Sequence, residues 1–222
     1  MRRLAALAAA ALVLAACSAD PTPTPTVACP TGAPTATEAQ AILTDATFAT
    51  ISVSGAVSGE IGMELHGDAA PIATANFVSL ARCGFYDGIW FHRVLSGFVI
   101  QAGDPGTKGQ TGDFAGLGTG GPGFEFEIEP PAEELGYEAY SVSMANDTRA
   151  NGSQFFIALA DLDAGLARSY TIFGQVVTGL DVVDAIAAVP VNDPQVGVPL
   201  GLVTIDGIRI GADGAPEASD GG

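Results

Sequence analysis

Residues 91–101 read Phe91-His92-Arg93-Val94-Leu95-Ser96-Gly97-Phe98-Val99-Ile100-Gln101, and this stretch decides how the chain is built. Two apolar runs flank Ser96-Gly97, which looks like a hairpin turn, so two short antiparallel strands are expected. Period-two alternation places Arg93 on the face of Phe91 and Leu95 and turns His92 the other way. An arginine embedded in such a run needs a reason in a chain with 8 Lys+Arg against 25 Asp+Glu. The residues alone leave two readings: a guanidinium paired with a carboxylate to close a sheet, or one held for chemistry.

Working outward, strand-like segments recur at 47–55, 59–65, 89–95, 98–101, 123–129, 139–145, 154–160, 170–177 and 202–210, separated by glycine-rich punctuation. Two helical windows interrupt them. Residues 71–84 open with Pro71 at a first-turn position, put Ile72, Phe77 and Leu80 on roughly one side, and end at Gly84 as the residue after the cap. Residues 179–189 form a shorter window that stops before Pro190. Many strands with two helices predict a mainly β domain, a closed antiparallel barrel capped by two α-helices.

The chain has 222 residues, enough for one well-cored domain with appendages. Residues 1–16 pair two arginines with a short Ala/Leu run, the pattern of an export signal, and Leu14-Ala15-Ala16-Cys17 resembles a lipoprotein cleavage site. Cys17 is the expected lipidation site, anchoring the protein on the outer face of a bacterial cell membrane. Residues 17–37 are Pro/Thr/Ala-rich and read as an extended linker, 38–210 as the folded domain, and 211–222 as a disordered tail. Beyond Cys17 only Cys29 and Cys83 remain, and in an exported chain two leftover thiols predict a disulfide. Removing residues 1–16 leaves 6 basic against 25 acidic residues, a formal −19, which argues against a nucleic-acid partner.

Hydrolytic and metal chemistries find little support. The only histidines are His66 and His92, with no matching ligand spacing, so no metal site is expected. Glu125, Glu127 and Glu129 alternate and read as a solvated strand face. The Gly116–Gly123 run has neither a P-loop lysine nor a following helix.

Several motifs occur together and in order: Ala75-Asn76-Phe77, Gly84-Phe85-Tyr86-Asp87-Gly88, Phe91-His92-Arg93-Val94, Gly97 to Gln101, Gly118-Thr119-Gly120-Gly121-Pro122-Gly123, Ser143-Met144-Ala145-Asn146 and Gly152-Ser153-Gln154-Phe155-Phe156. Across roughly residues 50–210 the sequence resembles the cyclophilin-type peptidyl-prolyl cis-trans isomerases. The resemblance implies an eight-stranded barrel and an isomerase that needs no cofactor, acting as a monomer on proline-containing segments of exported proteins. It implies Arg93 as the catalytic arginine and Gln101 as the glutamine that positions it. Phe98, Val99, Phe156 and Leu166 would hold the proline ring, with Val99 where methionine is common. Ala145, Asn146 and Gln154 would line the groove, and His92 would be structural. Two departures stand out: a lengthened loop at 105–115, and Gly165 and Tyr170 where some members carry tryptophan and histidine.

Overall fold

The computed structural model describes residues 27–110, 116–146 and 150–212. The expected signal sequence, Cys17 and the linker up to residue 26 lie outside the described residues, as do 111–115 of the long loop and all but two residues of the tail.

Eight strands form one antiparallel sheet: β1 (Phe48–Gly55), β2 (Gly59–Leu65), β3 (Arg93–Leu95), β4 (Val99–Ala102), β5 (Ser141–Asn146), β6 (Asn151–Ala158), β7 (Ile172–Thr178) and β8 (Val203–Gly211). Their order is β3-β4-β6-β5-β7-β2-β1-β8. The sheet curls until its two ends approach, and residues 88–91 join them. Gly88 N–H donates to the Ile205 carbonyl at 2.8 Å, Ile205 N–H to Ile89 at 2.7 Å, and Phe91 N–H to Val203 at 3.0 Å. Closure is therefore partial, a few bonds and an isolated Trp90–Thr204 bridge in place of a full ladder.

The barrel interior is filled by alternate strand residues, among them Ile51, Ile61, Met63, Ile100, Phe155, Ile157, Phe173 and Ile205, all fully buried. Helix α2 (Pro71–Arg82) packs against β6, β7 and β8. From it Phe77 meets Phe173, Tyr86 and Phe155 at centroid distances of 5.1, 5.3 and 5.7 Å. Tilted and edge-on rings of this kind add stabilisation beyond their buried area. Helix α3 (Leu180–Ala187) packs against β2, β3 and β4.

Helix α2 begins at Pro71 as expected, and Gly84 follows its cap with φ +74°. Its N-cap, Ala70, makes no side-chain cap bond. Instead the Glu129 carboxylate accepts Ile72 N–H at 3.0 Å and Ala73 N–H at 2.7 Å. A carboxylate at a helix N-terminus satisfies orphan donors and complements the helix dipole, worth about 1 kcal/mol.

That contact overturns the reading of Glu125, Glu127 and Glu129 as one solvated strand face. Residues 123–129 form no strand, and only an isolated Phe126–Asn151 bridge ties them to the sheet. A second correction concerns the helix count. A third helix, α1 (Ala36–Leu43), lies across the expected boundary at residue 38 and packs on α2. Thr35 and Glu38 form a full capping box: the Thr35 hydroxyl accepts Glu38 N–H, and the Glu38 carboxylate accepts Thr35 N–H at 2.8 Å. At the other end, β8 runs through Gly211, one residue into the expected tail.

The thiols behave as anticipated. The Cys29 and Cys83 sulfurs are bonded at 2.07 Å, fastening residue 29 to the C-cap of α2. Arg82 reinforces the same junction, donating to the Ile42 carbonyl at 3.3 Å and pairing with Asp45 at 2.6 Å.

Candidate active site

The hairpin of residues 93–102 sets the geometry. Arg93 lies opposite Gln101, Val94 opposite Ile100, and Leu95 opposite Val99. Val94 and Ile100 point into the barrel core, so Arg93, Leu95, Val99 and Gln101 share the outer face. Strand β6 extends that face, since Gln101 pairs with Phe156 and Val99 with Ala158 while Phe155 and Ile157 point inward. Phe91 does not follow the expected alternation. It is fully buried in the core, because residues 88–91 pair with β8 and the regular β3–β4 ladder starts only at Arg93.

Three amide contacts run from the guanidinium across the face. Arg93 Nη1 donates to Gln101 Oε1 at 3.3 Å, Gln101 Nε2 to Gln154 Oε1 at 2.9 Å, and Gln154 Nε2 to the Gly120 carbonyl at 2.8 Å. The ion pairs resolved among the described residues use Arg82, Arg168 and Arg209. Arg93 is half-buried and rests on a neutral amide, so it keeps its charge and donors for another acceptor.

Next to Arg93 lies a second apolar cluster, outside the barrel. Val99, Phe156, Ala158, Leu162, Ile172 and Tyr137 are buried in it, and Phe98, Leu166, Tyr170 and Ala145 pack against it half-exposed. The expected pocket residues Phe98, Val99, Phe156 and Leu166 are thus brought together. Tyr170 stands edge-on to Phe156, centroids 5.5 Å apart. Beyond Gln154 a groove of about 780 Å³ opens, lined by residues 118–125, Ala145, Asn146 and residues 150–154. Asn146 Nδ2 also donates to the Ser169 carbonyl at 3.0 Å, tying the groove to the wall that carries Tyr170.

Two supporting residues have no counterpart among the sequence-derived candidates. Asp104, 1 % exposed, accepts Gly106 N–H at 2.7 Å and Gly118 N–H at 2.6 Å and so pins the glycine loop. A Cβ on Gly120 would fall 2.0 Å from Asp104 Oδ1, so the loop can approach this carboxylate only with glycine there. The second is Tyr137, fully buried, whose hydroxyl reaches the backbone of residues 167 and 170. It follows Pro130-Pro131-Ala132-Glu133-Glu134-Leu135-Gly136, where no periodicity marks it.

His92 is buried behind Arg93. Burial pushes its pKa down to about 4, Asp104 pulls it back in part, and Arg93 adds to the depression. The imidazole is therefore neutral at pH 7, in keeping with a structural role. A folded pKa below the unfolded value of ~6.5 means that the unfolded chain binds the extra proton first. Stability is then lost as pH falls from about 6.5 towards about 4. Urea unfolding at steps across this window is expected to show a smaller loss for His92→Gln than for the parent; parallel curves would count against the assignment.

A family profile described as cyclophilin type peptidyl-prolyl cis-trans isomerase/CLD matches residues 48–209. A peptidyl-prolyl cis-trans isomerase B of Streptomyces anulatus is 41% identical over 173 residues, covering 68% of this chain and 91% of that one. A relative from Rhizopus delemar, peptidyl-prolyl cis-trans isomerase cyp15, is 40% identical over 165 residues; the match takes in 72% of this chain but spans only 24% of that protein. Among solved structures, a cyclophilin type isomerase of Cryptosporidium parvum superposes with a TM-score of 0.65 at 29% identity, covering 76% of this chain and 99% of that one. A further structure of that protein was determined in the presence of the dipeptide Ala-Pro.

Proposed function

Since the chain belongs to the cyclophilin-type peptidyl-prolyl cis-trans isomerase family, we propose that it accelerates rotation about Xaa-Pro bonds with Arg93 as the catalytic group. Rotation breaks amide resonance against a barrier of ~18–20 kcal/mol. In the twisted amide the proline nitrogen becomes pyramidal and exposes a lone pair that neither planar state offers. A guanidinium donating to that lone pair binds the transition state better than the ground states, which is the condition for lowering the barrier. Phe98, Val99, Phe156 and Leu166 hold the proline ring while the preceding residue turns, and Ala145, Asn146 and Gln154 guide the peptide along the groove.

The observation that carries this reading is the half-buried Arg93 held by the neutral Gln101–Gln154 relay at the edge of an exposed apolar pocket. The deciding experiment is NMR exchange on a short Xaa-Pro peptide with the full chain. Catalysis above the uncatalysed rate is expected; peptide binding without it would convert the reading to a recognition module.

The physiological setting is part of the same proposal. Residues 1–17 have the pattern of an export signal ending in a lipidated Cys17, and a Cys29–Cys83 disulfide fits an oxidising compartment. The proposed clients are proline-containing segments of exported proteins at the outer face of the membrane. Cys17→Ser is expected to move the protein from the membrane to the soluble fraction of fractionated cells. An unchanged distribution would remove the anchor from the proposal.

A further inference from the structure

Beneath the outer wall of the apolar pocket, two loop segments are tied to each other. Tyr137 N–H donates to Asp163 Oδ1 at 2.9 Å at the near end of the second segment. Its hydroxyl, at the far end, accepts Tyr170 N–H at 3.0 Å and has the Tyr170 and Ala167 carbonyls at 2.9 and 3.2 Å as acceptors for its own proton. Arg168 Nη2 returns the tie from outside, donating to the Ala132 and Leu135 carbonyls at 2.8 and 2.9 Å. The Tyr137 ring is fully buried among Val99, Phe156 and Ile172, with the Tyr170 ring edge-on to it at 6.5 Å.

Residues 162–170 carry the side of the pocket that is built from loop and not from sheet. Leu166 and Tyr170 are half-exposed on it, whereas Val99 and Phe156 are buried on sheet strands. Among the described residues, and apart from the short turns and the Asp161 carboxylate on Asp163 N–H, its backbone is held through Tyr137, the Leu162 N–H bond to the Tyr137 carbonyl at 2.9 Å, and the Asn146 contact to Ser169. Gly165 adds no side chain to the wall and has nothing within 4 Å of where a Cβ would sit, so the segment does not brace itself there.

We propose that Tyr137 is a positioning residue for substrate: its hydroxyl fixes the 166–170 wall and so sets the width of the pocket that receives the proline ring. This rests on the isomerase reading above. The wall grips the ring alike in the cis, trans and twisted states, so loosening it weakens binding of all three equally. Loss of uniform binding raises KM and leaves kcat nearly unchanged. Arg93 has the opposite signature, because its contact belongs to the twisted state.

The test is Tyr137→Phe in the full chain, with peptide Kd from NMR titration and kcat and KM from exchange on the same Xaa-Pro peptide. Kd and KM are expected to rise together by about fivefold with kcat within about twofold, and amide exchange at Tyr170 should quicken while amides of β1 and β2 hold their protection. Unchanged Kd and KM in an active parent would overturn the role of Tyr137 and leave the isomerase reading standing. A parent that neither binds nor catalyses would overturn both. Should Tyr137→Phe not fold, Arg168→Ala unties the same wall from the exposed side; a KM rise without loss of kcat supports the proposal, and an unchanged KM overturns it.

Discussion

Replacing Arg93 by alanine is expected to lower kcat/KM by about 10²- to 10³-fold, the usual cost of deleting one donor aimed at charge that develops in a transition state, roughly 2.7–4 kcal/mol. The loss should fall on kcat, with peptide affinity held by the apolar pocket. The fold should survive. Arg93 is half-buried and bonded to the neutral Gln101, so its removal strands no buried carboxylate. Arg93→Lys should recover little, because an ammonium on a flexible stem lacks the planar fork that reaches Gln101 and the substrate nitrogen together. NMR exchange with a thermal melt on each variant checks both halves. Activity within tenfold of the parent would remove Arg93 from the mechanism.

The second large effect concerns stability. Cys29→Ser with Cys83→Ser is expected to cost about 2–4 kcal/mol, because the bond closes a loop across a sequence separation of 54 and chain entropy alone sets an upper figure near 4 kcal/mol. For a domain of this size that is a drop of about 4–16 °C in melting temperature. The remaining ties are weaker. The Arg82–Asp45 pair is solvent-exposed and contributes little, so release of residues 27–46 should lead the unfolding. No group in the proposed active site belongs to this segment, so isomerisation well below the melting point should be unchanged. A melt that is the same for parent and double variant, with and without reductant, would contradict the expectation.

Where the sequence was legible, the signal was local or was matched in several places at once. Ser96-Gly97 between two apolar runs gave the hairpin, and with it the pairing of Arg93 with Gln101. Pro71 and Gly84 bounded α2 through their own backbone restrictions. Counting thiols sufficed for the disulfide. Phe91 escaped because its partner, Val203, lies over a hundred residues downstream, and no local period encodes that bond. Glu129 misled because alternation describes a chain that can be a strand, whereas a strand requires a neighbour along its length and residues 123–129 pair only at Phe126. Helix α1 was hidden by the Pro/Thr composition before it, although Thr35 and Glu38 at capping-box spacing were a usable signal. Tyr137 had none: a single tyrosine in an aperiodic loop becomes important only when residues 167–170 fold over it.

The partial closure of the barrel bears on when the protein becomes an enzyme. Arg93 lies two residues beyond the segment 88–91 that bonds to β8, and β8 in turn lies along β1, so the first and last strands along the chain must meet before that segment is held. Contacts of such long sequence separation form late and slowly. A chain emerging from its N-terminus can therefore pair the hairpin of Arg93 and Gln101 with β6, but the segment leading into it is held only when β8 arrives. The protein, an isomerase by family, has to complete its own long-range β1–β8 pairing before the segment that leads into Arg93 is held.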